Sequence, residues 1–187
     1  MKTPRRTVRL ALAGLGIALV SSSAAIAFHT ATHRGATGSA VTQVRIVSDS
    51  APSQTFLETP WTNVAGARRS IVIPEGERAI ILARFTAESE CIFVGEDDVC
   101  LVRILIGGHP GNPDDSGSTG DQGFIFDSSE AQPTDQVLTP QGHSIESFRG
   151  PLGPGRYVVQ VQARLSDQPS GYLTLDDWIL VVERIVV

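Results

Sequence analysis

Two cysteines, Cys91 and Cys100, form the clearest pair of residues with defined chemistry, and the chain has no others. A two-residue turn at 95–96, with glycine at the first position as a type II′ turn requires, would fold this stretch into a hairpin. Cys91 would then face Cys100 as a non-hydrogen-bonded pair with Cα atoms about 4.5 Å apart, which a disulfide accepts. The same register sets Glu88 opposite Arg103. The spacing is unlike the C-x-x-C motif of redox-active thiols.

Acidic side chains are concentrated in one glycine- and serine-rich segment, residues 107–123, where Asp114, Asp115 and Asp121 lie. Hard cations such as Ca²⁺ take carboxylate oxygens from loops of this kind. The spacing does not follow the EF-hand pattern, D-x-[DN]-x-[DN]-G. A calcium site and a polar surface loop are the two interpretations, and the sequence predicts no other cofactor.

Three aromatic residues, Trp61, Tyr172 and Trp178, are candidates for stacking on a ligand such as a sugar ring. Trp178 lies in a strongly apolar stretch near the end of the chain, so burial in the core is its main alternative. Trp61 follows Pro60 outside a clean alternating run, which makes it the best candidate for exposure.

Catalytic groups are sparse in this sequence. His143, with Asp127 or Ser144, could be assembled into a hydrolytic triad, but the G-x-S-x-G elbow is absent. Glu88 and Glu90 would share one strand face, and paired carboxylates can hydrolyse glycosides; the predicted partner of Glu88 makes a surface ion pair the better interpretation. The sequence therefore predicts a protein that is not an enzyme.

The N-terminus has the order of a secretory signal peptide, with basic residues first, an apolar run at 10–20 and a small-x-small site at 25–27. Cleavage after Ala27 predicts a secreted, extracellular protein. An uncleaved membrane anchor and twin-arginine export, suggested by Arg5 and Arg6, are alternatives.

Net charge limits the partners of the mature chain. The predicted signal peptide, residues 1–27, contains four of the fifteen basic residues and none of the twenty acidic ones. Its removal would leave a net charge of −9. Nucleic-acid binding requires cationic contacts to phosphates, so nucleic acid is excluded, and so are anionic membrane surfaces.

Downstream of a flexible leader at 28–53, the pattern is that of short strands separated by turns. A first strand at 41–47 falls inside the leader. Within 155–165, alternate residues are apolar, which is typical of an antiparallel strand with one wet face. The segment 172–187 alternates without interruption, so the adjacent Asp176 and Asp177 should point to opposite faces. The strands are predicted at 41–47, 70–73, 79–87, 100–106, 124–127, 144–148, 155–165 and 172–187.

About eight strands and no helix beyond the signal helix predict an all-β domain over residues 54–187, an antiparallel β-sandwich or jelly roll. The motifs WTNVAGA at 61–67, LGPGRYVVQVQ at 152–162 and LTLDDWILVVER at 173–184 resemble those of uncharacterised secreted β-sandwich proteins of actinobacteria. The strand at 155–162 is also similar to one near the end of C1q-like and phage receptor-binding jelly rolls. These resemblances imply a β-sandwich and carry over no functional residue.

The function that the sequence favours is a secreted, non-catalytic binding or structural module for an extracellular glycan or protein at the cell envelope, acting through its loops. One alternative is an oligomerising C1q-like jelly roll, in which the apolar run 179–182 packs between copies and the two chain ends lie close together. The other is a glycan-active enzyme.

Overall fold

Ten antiparallel strands make up the part of the chain that the structure describes. The computed structural model describes residues 36–50, 54–57, 60–92, 99–113, 123–128, 140–166 and 171–187, and it shows no helix within them. None of these residues forms a helix long and apolar enough to span a membrane. The strands are β1 (Ala40–Asp49), β2 (Gln54–Phe56), β3 (Thr62–Ile73), β4 (Ala79–Ile92), β5 (Val99–Ile106), β6 (His109–Pro110), β7 (Phe124–Ser128), β8 (Gln141–Leu152), β9 (Gly155–Leu165) and β10 (Tyr172–Val186).

The strands form two sheets that enclose one core, which confirms the predicted β-sandwich. The first sheet has the order β1-β10-β4-β8, and β2 also pairs with β10. The second has the order β3-β9-β5-β6, and β7 also pairs with β5. Every pairing is antiparallel.

The core lies between the sheets and is built from alternate residues of the strands. On β9, the predicted apolar face is buried completely at Val159, Val161, Ala163 and Leu165. Aromatic rings cross the core, since the ring of Phe85 lies 6.0 Å from that of Trp178 and 5.9 Å from that of Phe126. The prediction for β9 is therefore confirmed at these four positions, and Tyr157, the fifth residue of that face, is partly buried against the core.

The first strand belongs to the sandwich although it lies in the segment expected to be a leader. β1 pairs with β10 from Ala40, opposite Val186, to Asp49, opposite Trp178. The strand predicted at 41–47 is thus confirmed, and the first sheet begins before residue 54. The predicted signal peptide lies outside the described residues.

The disulfide between Cys91 and Cys100 is confirmed, but the hairpin that predicted it is wrong. β4 belongs to the first sheet and β5 to the second, so the bond crosses between sheets and joins Cα atoms 6.0 Å apart. Glu88 faces Asp176 and Gly142 in its own sheet. A separation of nine residues between the cysteines is compatible with a hairpin within one sheet and with a connection between the two sheets. The spacing alone does not distinguish these arrangements.

A β-bulge breaks the expected alternation of β10. Two residues, Asp177 and Trp178, stand opposite one residue of β4, and Asp177 has a φ of 40°. Because of the extra residue, the buried side chains have odd numbers before the bulge, at Leu173 and Leu175, and even numbers after it, at Trp178 and Leu180. Asp177 stays exposed, so the expectation that Asp176 and Asp177 point to opposite faces is wrong.

Candidate functional site

The outer face of the second sheet carries an unusual segregation of charge. Strands β3, β5 and β9 contain five arginines and no aspartate or glutamate, in a chain with more acidic than basic residues. Pairing places Arg68 opposite Gln160 and Arg103 opposite Gln162, between Arg156 and Arg164 of β9. The side chains of Arg68, Arg103, Arg156 and Arg164 alternate with buried residues and therefore point outward. Arg69 stands opposite the buried Val159 and is partly exposed because β3 is an edge strand. We call this surface the arginine face.

At one end of the arginine face, Trp61 lies against two guanidinium groups. The Cζ atom of Arg103 is 4.1 Å from the centroid of the indole ring, and that of Arg164 is 5.0 Å from it. Cations at these distances are attracted to the electron-rich ring face. The indole is neither buried nor fully exposed, so part of it remains in contact with solvent beside the two guanidinium groups.

A row of hydrogen bonds across three strands fixes Arg103. Its Nε donates to Oε1 of Gln162 at 2.9 Å. The Nε2 of Gln162 donates in turn to Oδ1 of Asn63 at 2.9 Å. Burial lowers the pKa of Arg103, and the positive charge of Arg164 lowers it further. Because a guanidinium remains protonated in proteins, Arg103 stays cationic, and the row fixes its position on the arginine face.

Further along the same face is an open depression lined by Arg68, Arg69, Ser70, Arg156 and Val158. The Nη2 of Arg156 donates to Oγ of Ser70 at 3.1 Å, and the Nη1 of Arg69 donates to the carbonyl oxygen of Arg68 at 2.8 Å. Among the described residues, no carboxylate forms an ion pair with any of these three arginines. The depression is therefore a place where an anion would meet uncompensated positive charge.

The three aromatic residues predicted to stack on a ligand lie in three different places. Trp178 is only 5% exposed and belongs to the core. Tyr172 alternates with the buried Leu173 on β10, so it lies on the outer face of the first sheet. Burial raises the pKa of Tyr172, and the nearby carboxylate of Glu90 raises it further. Only Trp61 lies on the arginine face.

The candidate calcium ligands Asp114, Asp115 and Asp121 lie outside the described residues. Among the residues that are described, no group of three or more His, Cys, Asp or Glu side chains is placed to hold a metal ion.

Two residues of the suggested triad, His143 and Asp127, lie near each other, but the serine beside them is Ser89 and the order of the three groups does not suit catalysis. The hydroxyl of Ser89 donates to Oδ2 of Asp127 at 2.7 Å, and Nε2 of His143 is 3.9 Å from Oδ1 of Asp127. A nucleophilic serine requires its hydroxyl on the imidazole, whereas here the carboxylate separates the two groups. Ser89 is also 2% exposed, and the hydroxyl of Ser144 accepts a hydrogen bond from Thr86 instead.

The two carboxylates considered for glycoside hydrolysis lie on the outer face of the first sheet. Glu88 is exposed directly opposite Asp176, and Glu90 stands two residues further along β4, opposite Thr174. A general acid needs an environment that raises its pKa. An exposed strand face provides no such enclosure.

Comparison with known proteins assigns no family. No protein-family model matches the chain, and no curated protein matches it. Dimeric latent PorU from Porphyromonas gingivalis is 12% identical, with a TM-score of 0.35 over 81% of this chain. The chain spans only 14% of the PorU chain. The CBM36-1 domain of a multidomain xylanase from the hindgut metagenome of Trinervitermes trinervoides is 12% identical, with a TM-score of 0.30 over 74% of this chain and 96% of that domain. Neither structure assigns a ligand to this protein.

Proposed function

We propose that the protein is a secreted, non-catalytic β-sandwich module that binds an extracellular glycan through the arginine face. The observation that carries the proposal is the position of Trp61, held partly exposed beside Arg103 and Arg164 on the outside of a rigid sheet. An indole provides apolar surface for a sugar ring. The neighbouring amides and guanidinium groups provide hydrogen bonds for sugar oxygens.

The arrangement favours binding over catalysis. A flat face supported by paired strands presents its side chains without enclosing the ligand, whereas a catalytic site requires groups that converge on reacting atoms in an enclosed pocket. The signal-like N-terminus supports export, and a disulfide is typical of proteins that function in an oxidising compartment.

A glycan array probed with the purified protein tests this function. We expect binding to a restricted set of glycans. Trp61→Ala should weaken this binding about two- to tenfold, because an aromatic stacking contact is worth roughly 0.5–1.5 kcal/mol, and Trp61→Phe should retain part of the affinity. Tyr172→Ala, which removes an aromatic ring from the opposite sheet, is the matched control and should change nothing. Absence of binding to any glycan, or equal binding by Trp61→Ala, would contradict the proposal.

A second candidate, an oligomer formed through the first sheet, is favoured by one specific observation. Val41, Val44, Ile46 and Ile179 are 44–62% exposed on β1 and β10. Ser48 faces Ile179, and Ile46 faces Val181, so part of the apolar run 179–182 lies outside the core. β1 is also an edge strand, to which a strand of a second copy could add.

Light scattering separates this second candidate from a monomeric module. The oligomer predicts a particle several times the mass of one chain, which Ile46→Asp dissociates. A monomer at micromolar concentration would exclude it, without affecting the glycan-binding proposal.

A further inference from the structure

We infer that the ligand is an acidic polysaccharide whose sulfate or carboxylate groups bind in the depression formed by Arg68, Arg69 and Arg156. This inference rests on the proposed function and specifies the class of its ligand. It depends on the charge and spacing of the arginine face rather than on the indole.

The side chains that line the depression are suited to bind an oxyanion. Arg68 and Arg156 are exposed, and Arg69 is partly exposed. Arg156 donates to the hydroxyl of Ser70 and Arg69 donates to a backbone carbonyl, and no carboxylate of the described residues forms an ion pair with the three guanidinium groups. Guanidinium groups bind sulfate and carboxylate through paired, charge-assisted hydrogen bonds, and Ser70 adds a hydroxyl. Val158 supplies an apolar floor.

The spacing of the arginines favours a chain over a small ion. Arg156 and Arg164 are eight residues apart on β9, or about 26 Å at roughly 3.3 Å per residue. Strand pairing places Arg68 at the level of Gln160 and Arg103 at the level of Gln162. The cations therefore follow the strand direction as an extended row, which suits a linear polymer with repeated anionic groups.

The charge of the two sheets determines which face such a polymer approaches. β1, β4, β8 and β10 of the first sheet carry seven acidic residues and four arginines, a net charge of −3, whereas β3, β5 and β9 carry five arginines and no acidic residue. The difference in charge favours approach of a polyanion to the arginine face, so the field of the protein orients the encounter.

A nucleic acid is the competing polyanion, and the same observations disfavour it. Duplex DNA carries about one charge per 1.7 Å of axis, far denser than the row of arginines. Removal of residues 1–27, which the proposed secretion requires, would leave 11 basic and 20 acidic residues, a net charge of −9, which opposes a densely charged partner. A polysaccharide with one anionic group per sugar or per disaccharide matches the sparse cations better.

The test is calorimetric titration with dextran sulfate, neutral dextran of the same length, polygalacturonate and oligothymidylate. We expect binding to dextran sulfate or polygalacturonate, with affinity that falls as salt increases, and weaker binding to neutral dextran and oligothymidylate. The two acidic polymers distinguish sulfate from carboxylate recognition.

Substitutions locate the site. Arg68→Gln and Arg156→Gln should each weaken binding about fivefold, as expected for an exposed ion pair worth up to roughly 1 kcal/mol, and together about 25-fold. Arg84→Gln removes the same charge from the first sheet, where Arg84 pairs with Glu146, and should change affinity less than twofold. Circular dichroism verifies that each variant is folded.

The outcomes separate this inference from the proposed function. Glycan binding that depends on Trp61 but is unchanged in Arg68→Gln/Arg156→Gln would overturn the inference and leave the function standing. An equal loss in Arg84→Gln, or tighter binding to oligothymidylate, would also overturn it. Acidic-polymer binding lost in the double arginine variant but unchanged in Trp61→Ala would support the inference and contradict the stacking role of Trp61.

Discussion

Cys91 and Cys100 are bonded across the sandwich, with Cα atoms 6.0 Å apart on strands that belong to different sheets. Both side chains are buried, and Sγ of Cys100 also lies 3.9 Å from the carbonyl oxygen of Tyr172. The disulfide therefore ties the ends of β4 and β5 where the chain passes from one sheet to the other.

Removal of this disulfide should lower stability without unfolding the domain. Closing a loop of about ten residues contributes roughly 2–3 kcal/mol in the chain-entropy model. We expect the Cys91→Ala/Cys100→Ala variant to melt about 5–10 °C below the wild type, as measured by calorimetry. Reductant should destabilise the wild type similarly and leave the variant unaffected; equal melting temperatures of variant and wild type would show that the bond contributes nothing.

The bulge at Asp177 should tolerate glycine and reject a β-branched residue. Its φ of 40° is accessible to glycine and to aspartate but unfavourable for valine. We expect Asp177→Gly to change the free energy of unfolding by less than about 0.5 kcal/mol and Asp177→Val to cost roughly 1–3 kcal/mol, measured by urea denaturation. Identical costs for the two substitutions would argue against this backbone conformation.

Alanine substitutions at two glycines distinguish the cost of backbone strain from the cost of a packing contact. Gly66 and Gly76 have φ values of 73° and 79°. A Cβ atom at Gly66 would lie 3.3 Å from Cζ2 of Trp178, whereas one at Gly76 would meet nothing within 4 Å. Gly76→Ala should therefore cost about 1–2 kcal/mol from its left-handed conformation alone.

Gly66→Ala should cost more than Gly76→Ala, and the difference should decrease in a Trp178→Leu background, as a double-mutant cycle measures. A smaller cost at Gly66 would mean that the Trp178 ring does not pack there.

The raised pKa of Tyr172 predicts a loss of stability at high pH. In the folded protein, burial and the carboxylate of Glu90 favour the neutral phenol, so its folded pKa exceeds the unfolded value of about 10. The resulting stabilisation is complete below pH 10 and is lost as the pH rises through the folded pKa.

Ultraviolet titration in a Tyr157→Phe background observes Tyr172 alone, because the chain has two tyrosines. Glu90→Gln should lower its pKa, whereas Glu88→Gln, two positions along β4, should leave it unchanged. An inflection that does not respond to Glu90→Gln would exclude the electrostatic contribution.

Local periodicity in the sequence predicts individual strands and their buried faces. It does not predict which strand belongs to which sheet. Alternation alone located β9 and its buried face, because one wet side and one dry side produce a period of two. It could not place Cys91 and Cys100 in different sheets, since a short connection fits a hairpin and a crossing equally well. The sequence does not reveal the bulge at Asp177, because the residues on both faces of β10 are apolar beyond it.

The proposed binding face is only partly predictable from the sequence. The sequence indicates exposure of Trp61, which lies outside an alternating run, but it does not show that Tyr172 lies on the other sheet and that Trp178 lies in the core. The arginine face was missed because Arg68, Arg103 and Arg156 are far apart in sequence. The absence of acidic residues from their three strands was a usable signal, and only the pairing of β3 and β5 with β9 assembles it into one surface.

Chemical-shift mapping of the ¹⁵N-labelled protein with short dextran sulfate oligosaccharides tests the binding face most directly. We expect saturable shifts at outward positions of β3, β5 and β9, at the indole N–H of Trp61 and at the Nε–H groups of Arg68 and Arg156. The amides of β1, β4 and β10 should remain unshifted. Shifts confined to the first sheet, or none at millimolar ligand, would contradict a glycan-binding role for the arginine face.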